Sequence, residues 1–147
     1  MFDEFDVLTA LTTIVAVVLA VLIHYEGLHY FTKWIGRNRL KPRLRIVLLI
    51  YGLLILHSIE IMLFGAAYWY LSSTPGYGTL ISPNGLSLWD CIYFSATVYS
   101  TVGFGDIVPT QSIRLLAGIE GVTGLLLITW SASFTYLEMV RYWRDED

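Results

Sequence analysis

The chain has 147 residues, of which 56% are hydrophobic and 14% are charged, with a net charge of −3 at pH 7. Soluble domains carry about 45–50% apolar and about 25% charged residues, so this composition excludes an ordinary soluble domain and indicates a single-domain integral membrane protein. Cys91 is the only cysteine, which excludes a disulfide within the chain.

The first candidate transmembrane segment covers residues 7–25, which carry no formal charge. A helix of this length spans a hydrocarbon core of about 30 Å. The residues before it are acidic rather than basic, which argues against a cleaved signal peptide. We therefore expect this segment to remain in the protein.

Residues 33–45 form a basic segment with six lysines and arginines and no acidic residue. The positive-inside rule predicts that this loop is cytoplasmic and that the N-terminus lies outside. The simplest role for the cluster is to set topology, although it could also contact anionic lipid head groups. Membrane lipids are therefore expected partners.

A second transmembrane helix is predicted at residues 46–71, running outward and ending in Tyr68-Trp69-Tyr70, which would form an aromatic anchor at the outer interface. Residues 72–85 contain three glycines and two prolines and are expected to form an extracellular loop. A third transmembrane helix is predicted at residues 113–143, ending in basic and aromatic residues suited to the cytoplasmic interface. The C-terminus would then be cytoplasmic, with no room for a domain after it.

Residues 86–99 look helical but would extend only about 20 Å, too short to cross a bilayer. Ser87 and Asp90 predict a capping box at the start of this helix. A half-crossing helix followed by irregular backbone is tolerated at membrane depth only where it lines a cavity or is buried in protein. The pattern predicts a re-entrant pore helix.

Residues 101–106 read TVGFGD. A regular strand points successive carbonyls to opposite sides, whereas a dehydrated cation needs several oxygens on one line. Left-handed backbone at Gly103 and Gly105 would turn the carbonyls to one side without a Cβ penalty. Val102 and Phe104 would then point into surrounding protein, and Asp106 would concentrate cations at the mouth. Taken without its context, the stretch could also be a glycine-rich turn.

This hexapeptide, set between two membrane-length segments, resembles the selectivity filter of the potassium channels. From residue 46 onward the chain resembles their two-helix-plus-pore-loop module, to which residues 7–25 add a helix. The resemblance implies an all-α membrane fold, three transmembrane helices with a re-entrant pore helix, and a homotetramer. It also implies K⁺ coordination by the filter residues Thr101, Val102, Gly103, Phe104 and Gly105, with Asp106 at the outer mouth.

Two residues of this sequence differ from those of many family members at positions that affect how the filter is stabilised. Phe104 stands where a tyrosine usually bonds to the pore helix, so we expect packing, against Tyr93 or Phe94, to hold the filter instead. Thr97 stands where some relatives carry a pore-helix acid. Filter rigidity and slow inactivation therefore do not carry over from such relatives.

Glycines at positions 118, 121 and 124 are spaced three apart in the third span. Such glycines most often allow helices to pack closely. Gly124 lies near the gating hinge of family members and is the candidate hinge here.

His57 and Glu60 lie mid-span at i and i+3, and Glu120 lies in the upper third span. Ionisable groups at membrane depth are costly and usually functional. His57 and Glu60 are interpreted as a structural hydrogen-bonded pair, with a proton sensor as the alternative. Glu120 is expected to support the filter or pore helix from behind, and His24 to be interfacial.

The sequence contains no arginine repeat within a span, nucleotide-binding glycine motif, metal-ligand cluster or nucleophile triad. We therefore expect a leak-like potassium channel of the plasma membrane and not an enzyme. K⁺ would be its permeant ligand, and we expect no cofactor, nucleic acid or soluble partner. Two alternatives stay open: a weakly selective cation channel, and a non-conducting membrane subunit of a larger channel complex.

Overall fold

The computed structural model describes residues 4–37, 41–83 and 85–144, which form four helices and two short strands. Three of the helices are long and apolar enough to cross a membrane, over Asp6–Trp34, Arg43–Ser72 and Ile113–Arg141. The predicted all-α membrane fold is confirmed. The elements in chain order are α1 (Glu4–Arg37), α2 (Pro42–Ser72), β1 (Leu80–Ile81), α3 (Leu88–Tyr99), β2 (Val108–Pro109) and α4 (Ile113–Arg144).

The first two helices are longer than the sequence suggested. α1 continues past residue 25 because Glu26 and Lys33 lie on its exposed face, where charges do not interrupt a helix. Arg37 lies in its last turn, where a cation is favourable. α2 begins with Pro42 in its first turn, a position that proline suits. Most of the basic segment 33–45 is thus helical, and its residues 38–40 lie outside the described part of the chain.

Small residues bring α1 against the rest of the molecule. Ala16 and Ala20 are buried in the same core cluster as Phe64 of α2 and Leu116 of α4. Near the other end of α1, a Cβ at Gly27 would lie 2.7 Å from Leu56 of α2. Glycine and alanine allow such close helix packing within a membrane.

The short helix α3 packs between α2 and α4, and a short β-ladder joins the loops on either side of it. Leu80 pairs with Pro109, and Ile81 pairs with Val108, in antiparallel register. Next to this ladder the Thr110 hydroxyl accepts from the Thr79 N–H at 2.8 Å. The sequence did not indicate this pairing, because two residues per strand are too few to show a period of two.

Candidate functional site

The start of α3 is fixed by the predicted capping box. The Ser87 hydroxyl accepts from the Asp90 N–H at 3.2 Å, and the Asp90 carboxylate accepts from the Ser87 N–H at 2.8 Å. Hydrogen bonds from the Ser87 hydroxyl and N–H hold the pKa of Asp90 below its usual value. α3 has 12 residues, so it is about 18 Å long, which is too short to cross a bilayer.

The backbone after α3 has a left-handed residue at every second position. The φ angles are 59° at Thr101, 54° at Gly103 and 79° at Gly105. Because a regular strand alternates its carbonyls, a left-handed residue at every second position brings successive carbonyls to one side. The left-handed conformation was expected at the two glycines. At Thr101 it was not expected, because a β-branched residue rarely adopts it.

Three hydrogen bonds tie residues 101–106 to α3. The Thr101 N–H donates to the Val98 carbonyl at 2.9 Å. The Gly103 N–H donates to the Thr97 carbonyl at 3.1 Å. At the outer end, the Tyr93 hydroxyl donates to the Asp106 carboxylate at 2.9 Å. These bonds hold residues 101–106 against α3 in a chain that has Phe104 in place of the tyrosine expected from the resemblance.

The expected packing of Phe104 against Tyr93 or Phe94 is not seen. Phe94 instead packs edge-on against Tyr68 of α2, with ring centroids 5.0 Å apart. Phe104 is 70% exposed and Val102 is 55% exposed. The expectation that Val102 and Phe104 pack into surrounding protein therefore does not hold within one chain. The whole stretch 101–106 lies on the surface of the single subunit.

Glu120 of α4 lies against α2 and α3. It is fully buried, and one carboxylate oxygen accepts from Ser95 of α3 while the other accepts from Tyr68 of α2. This carboxylate joins α2, α3 and α4. Its expected role in supporting the filter or pore helix from behind stays a prediction. Tyr68 was wrongly assigned to the outer aromatic anchor, since it is buried, and only Trp69 and Tyr70 are exposed.

His57 and Glu60 belong to a larger polar cluster that includes residues from all four helices. Glu60 lies 2.9 Å from Nδ1 of His24 and 3.0 Å from Nδ1 of His57, and it also accepts from the Tyr99 hydroxyl. The Ser131 hydroxyl lies 3.0 Å from Nε2 of His57 and 3.4 Å from Nε2 of His24. The cluster connects α1 to the carboxyl end of α3.

The sequence assignment of His24 to the interface was wrong. His24 is fully buried because α1 continues well beyond residue 25 and turns this side chain towards α2. The spacing of His24 along α1 could have indicated its burial. Buried residues of α1 recur three or four positions apart, as expected for one helix face, at Thr13, Ala16, Ala20, His24 and Leu28.

Gly124 lies where α4 crosses the carboxyl end of α3. A Cβ at this position would lie 2.2 Å from the Tyr99 carbonyl oxygen, closer than any real contact. At Gly121 the nearest atom would be 3.7 Å away, and at Gly118 no atom lies within 4 Å. The structure thus gives Gly124 a packing role, and the hinge at Gly124 stays a prediction.

Comparison with known proteins shows which family this chain resembles. A family model described as "Ion channel" matches residues 44–140, which include α3 and the stretch 101–106. The "Potassium channel protein kcv" of Paramecium bursaria Chlorella virus 1 is 39% identical over 51 residues, which are 34% of this chain and 54% of that protein. The match thus spans about half the length of that relative. No solved structure matches the chain.

The match begins near the start of α2 and ends near the end of α4, so it leaves out α1. The matched part has two long apolar helices with a short, half-crossing helix between them. The chain therefore belongs to the ion-channel family.

Proposed function

We propose that the protein conducts K⁺ passively and selectively through residues 101–106. The observation that carries this proposal is the left-handed backbone at Thr101, Gly103 and Gly105 on a segment exposed at the surface of the subunit. The carbonyl oxygens of residues 101–104 and the Thr101 hydroxyl replace the hydration shell of the ion. Ions in adjacent sites then displace one another along the row.

Conduction requires four copies of the chain around one axis. Each chain supplies a single row of carbonyls, and a closed ring of identical rows makes complete coordination shells, as in a homotetramer with closed symmetry. The exposure of Val102 and Phe104 in the single chain supports this assembly, because neighbouring subunits would cover them. The carboxyl end of α3, with its partial negative charge, favours a cation near the middle of the membrane.

The proposed orientation in the plasma membrane places the N-terminus and the Asp106 end of the filter outside, and the C-terminus in the cytoplasm. The Ser112 hydroxyl, just before α4, donates to Asp6 near the start of α1 at 2.7 Å. This bond supports a common side for the N-terminus and the filter mouth. The basic residues around the α1–α2 connection support a cytoplasmic location for the opposite side.

Cysteine labelling tests this orientation. In a Cys91→Ala background, Lys41→Cys should react with an impermeant reagent only from the cytoplasmic side and Pro83→Cys only from outside. Both positions are exposed. The parent Cys91→Ala protein is the unlabelled control. Labelling of either position from the opposite face contradicts the three-span topology.

We expect shallow voltage dependence. Moving one charge through the membrane potential is worth about 2.3 kcal/mol per 100 mV, so steep gating needs several mobile charges. The mid-span charges Glu60 and Glu120 are both fully buried and hydrogen-bonded on both carboxylate oxygens. Bilayer recording of the full chain over about ±100 mV measures how the open probability depends on voltage. A tenfold change of open probability within about 20 mV would refute the leak-like mechanism.

A further inference from the structure

We propose that His24, His57 and Glu60 form a binding site for Zn²⁺ between α1 and α2. The three side chains come from two helices, and one potential ligand atom of each lies within 4.8 Å of the others. No sequence spacing indicated this group, because His24 and His57 are far apart in the chain. The proposal goes beyond ion conduction and does not depend on it.

The burial and charge of the group favour a cation. His24 and Glu60 are fully buried, and His57 is only 16% exposed. Both ion-pair partners of Glu60 are histidines rather than lysine or arginine. A buried carboxylate is stable when it is paired or when it coordinates a metal. Imidazole nitrogens and carboxylate oxygens are among the ligands that zinc takes in proteins.

The two imidazole rings turn the same nitrogens towards the same neighbours. Each turns Nδ1 towards Glu60, at 2.9 Å for His24 and 3.0 Å for His57. Each turns Nε2 towards the Ser131 hydroxyl, whose oxygen has two lone pairs and can accept from both rings. In the metal-bound form the ring protons would lie on Nε2, and the Nδ1 protons that now face Glu60 would be displaced, which frees both Nδ1 lone pairs to bind the metal. Ser131 then supplies the outer hydrogen bond that orients metal-binding histidines.

The Tyr99 hydroxyl oxygen supplies a fourth ligand for a tetrahedral set. Its hydroxyl lies 2.9 Å from Nδ1 of His57 and bonds to Glu60. In a tetrahedral site with zinc–ligand bonds of about 2.0–2.1 Å, ligand atoms lie about 3.3 Å apart. The contacts of 2.9–3.0 Å would therefore lengthen slightly on binding, and the wider separations within the group, which are at most 4.8 Å, would shorten. An apolar cavity of about 620 Å³ borders His57, Tyr99 and Ser131 and gives a route to the site.

Zinc at this position would hold α1 against the pore module. His24 lies outside the segment that matches the ion-channel family, whereas His57, Glu60 and Tyr99 lie within it. The metal would thus connect the additional helix to the residue that ends the pore helix, two positions before Thr101.

Zinc titration of the purified full chain, after chelator treatment and in competition with a chromophoric chelator, tests the site. We expect one Zn²⁺ per chain in the wild type and in His29→Gln, whose imidazole is exposed on α1. Binding should be lost in His24→Gln and in Glu60→Gln. Ser131→Ala, which removes only the outer hydrogen bond, should bind about 10–100-fold more weakly.

A second measurement keeps the proposal testable if the ligand variants fail to fold. X-ray absorption of zinc-loaded wild-type protein should show two imidazole ligands and only nitrogen and oxygen neighbours at about 2.0–2.1 Å. The proposal is overturned if the wild type takes up no stoichiometric zinc, or if His29→Gln loses as much binding as His24→Gln. A spectrum with sulfur or without imidazole also overturns it. In each case the group is a hydrogen-bonded cluster only.

Discussion

Gly103→Ala is expected to abolish selective potassium conduction while leaving the helices folded. Gly103 has a φ of 54°, and no atom lies within 4 Å of the position a Cβ would take. The effect therefore comes from the backbone and not from a clash. A left-handed conformation costs a residue with a Cβ about 1–2 kcal/mol, and in the proposed homotetramer four copies bear this cost at the ion path.

Gly85→Ala is the matched control for this variant. Gly85 has a φ of 87°, its Cβ position is also open, and it lies in the loop before α3. It carries a similar backbone strain without lying on the ion path. Potassium flux into liposomes should be lost in Gly103→Ala and kept in Gly85→Ala. Normal potassium selectivity in Gly103→Ala would show that residues 101–106 are not the filter.

Gly124→Ala is expected to destabilise the subunit strongly. The new Cβ would lie 2.2 Å from the Tyr99 carbonyl oxygen and 2.9 Å from two further Tyr99 backbone atoms. Backbone atoms cannot rotate away as a flexible side chain does, so α4 and the end of α3 must separate. Overpacking of this kind typically costs about 1–3 kcal/mol, sometimes more. Thermal unfolding in detergent, compared with wild type, measures the loss.

Gly121→Ala is the control, because the nearest atom to its Cβ is at an ordinary contact distance of 3.7 Å. It should unfold close to the wild-type temperature. The pair also distinguishes packing from a hinge at Gly124. If Gly124→Ala kept wild-type stability and changed only the open probability, the packing role would be wrong and the hinge would be favoured.

Features that depend on local sequence were predictable. The three spans follow from apolar length, and the Ser87–Asp90 capping box follows from the spacing of two residues. The left-handed backbone at Gly103 and Gly105 was predicted because carbonyls that point to one side need such residues. Each of these properties depends on a few neighbouring residues or on the apolar length of one helix.

Features that depend on contacts between distant segments were not predictable in the same way. His24 is buried beside Glu60 because α1 packs on α2. The minimal pore module contains no helix equivalent to α1, so the resemblance could not predict this contact. The bond from Tyr93 to Asp106 depends on how the loop after α3 folds back. Phe104 was expected to pack against Tyr93 or Phe94, whereas its side chain is exposed on the single subunit.

The reversal potential of the wild-type channel tests the central claim most directly. Purified full chain is reconstituted into a planar bilayer with K⁺ on one side and Na⁺ on the other, and the zero-current voltage is measured. A selective filter at residues 101–106 predicts a steady current whose reversal lies near the K⁺ equilibrium potential. Reversal near zero would contradict selectivity and indicate a weakly selective cation channel, and the absence of current would indicate a non-conducting subunit.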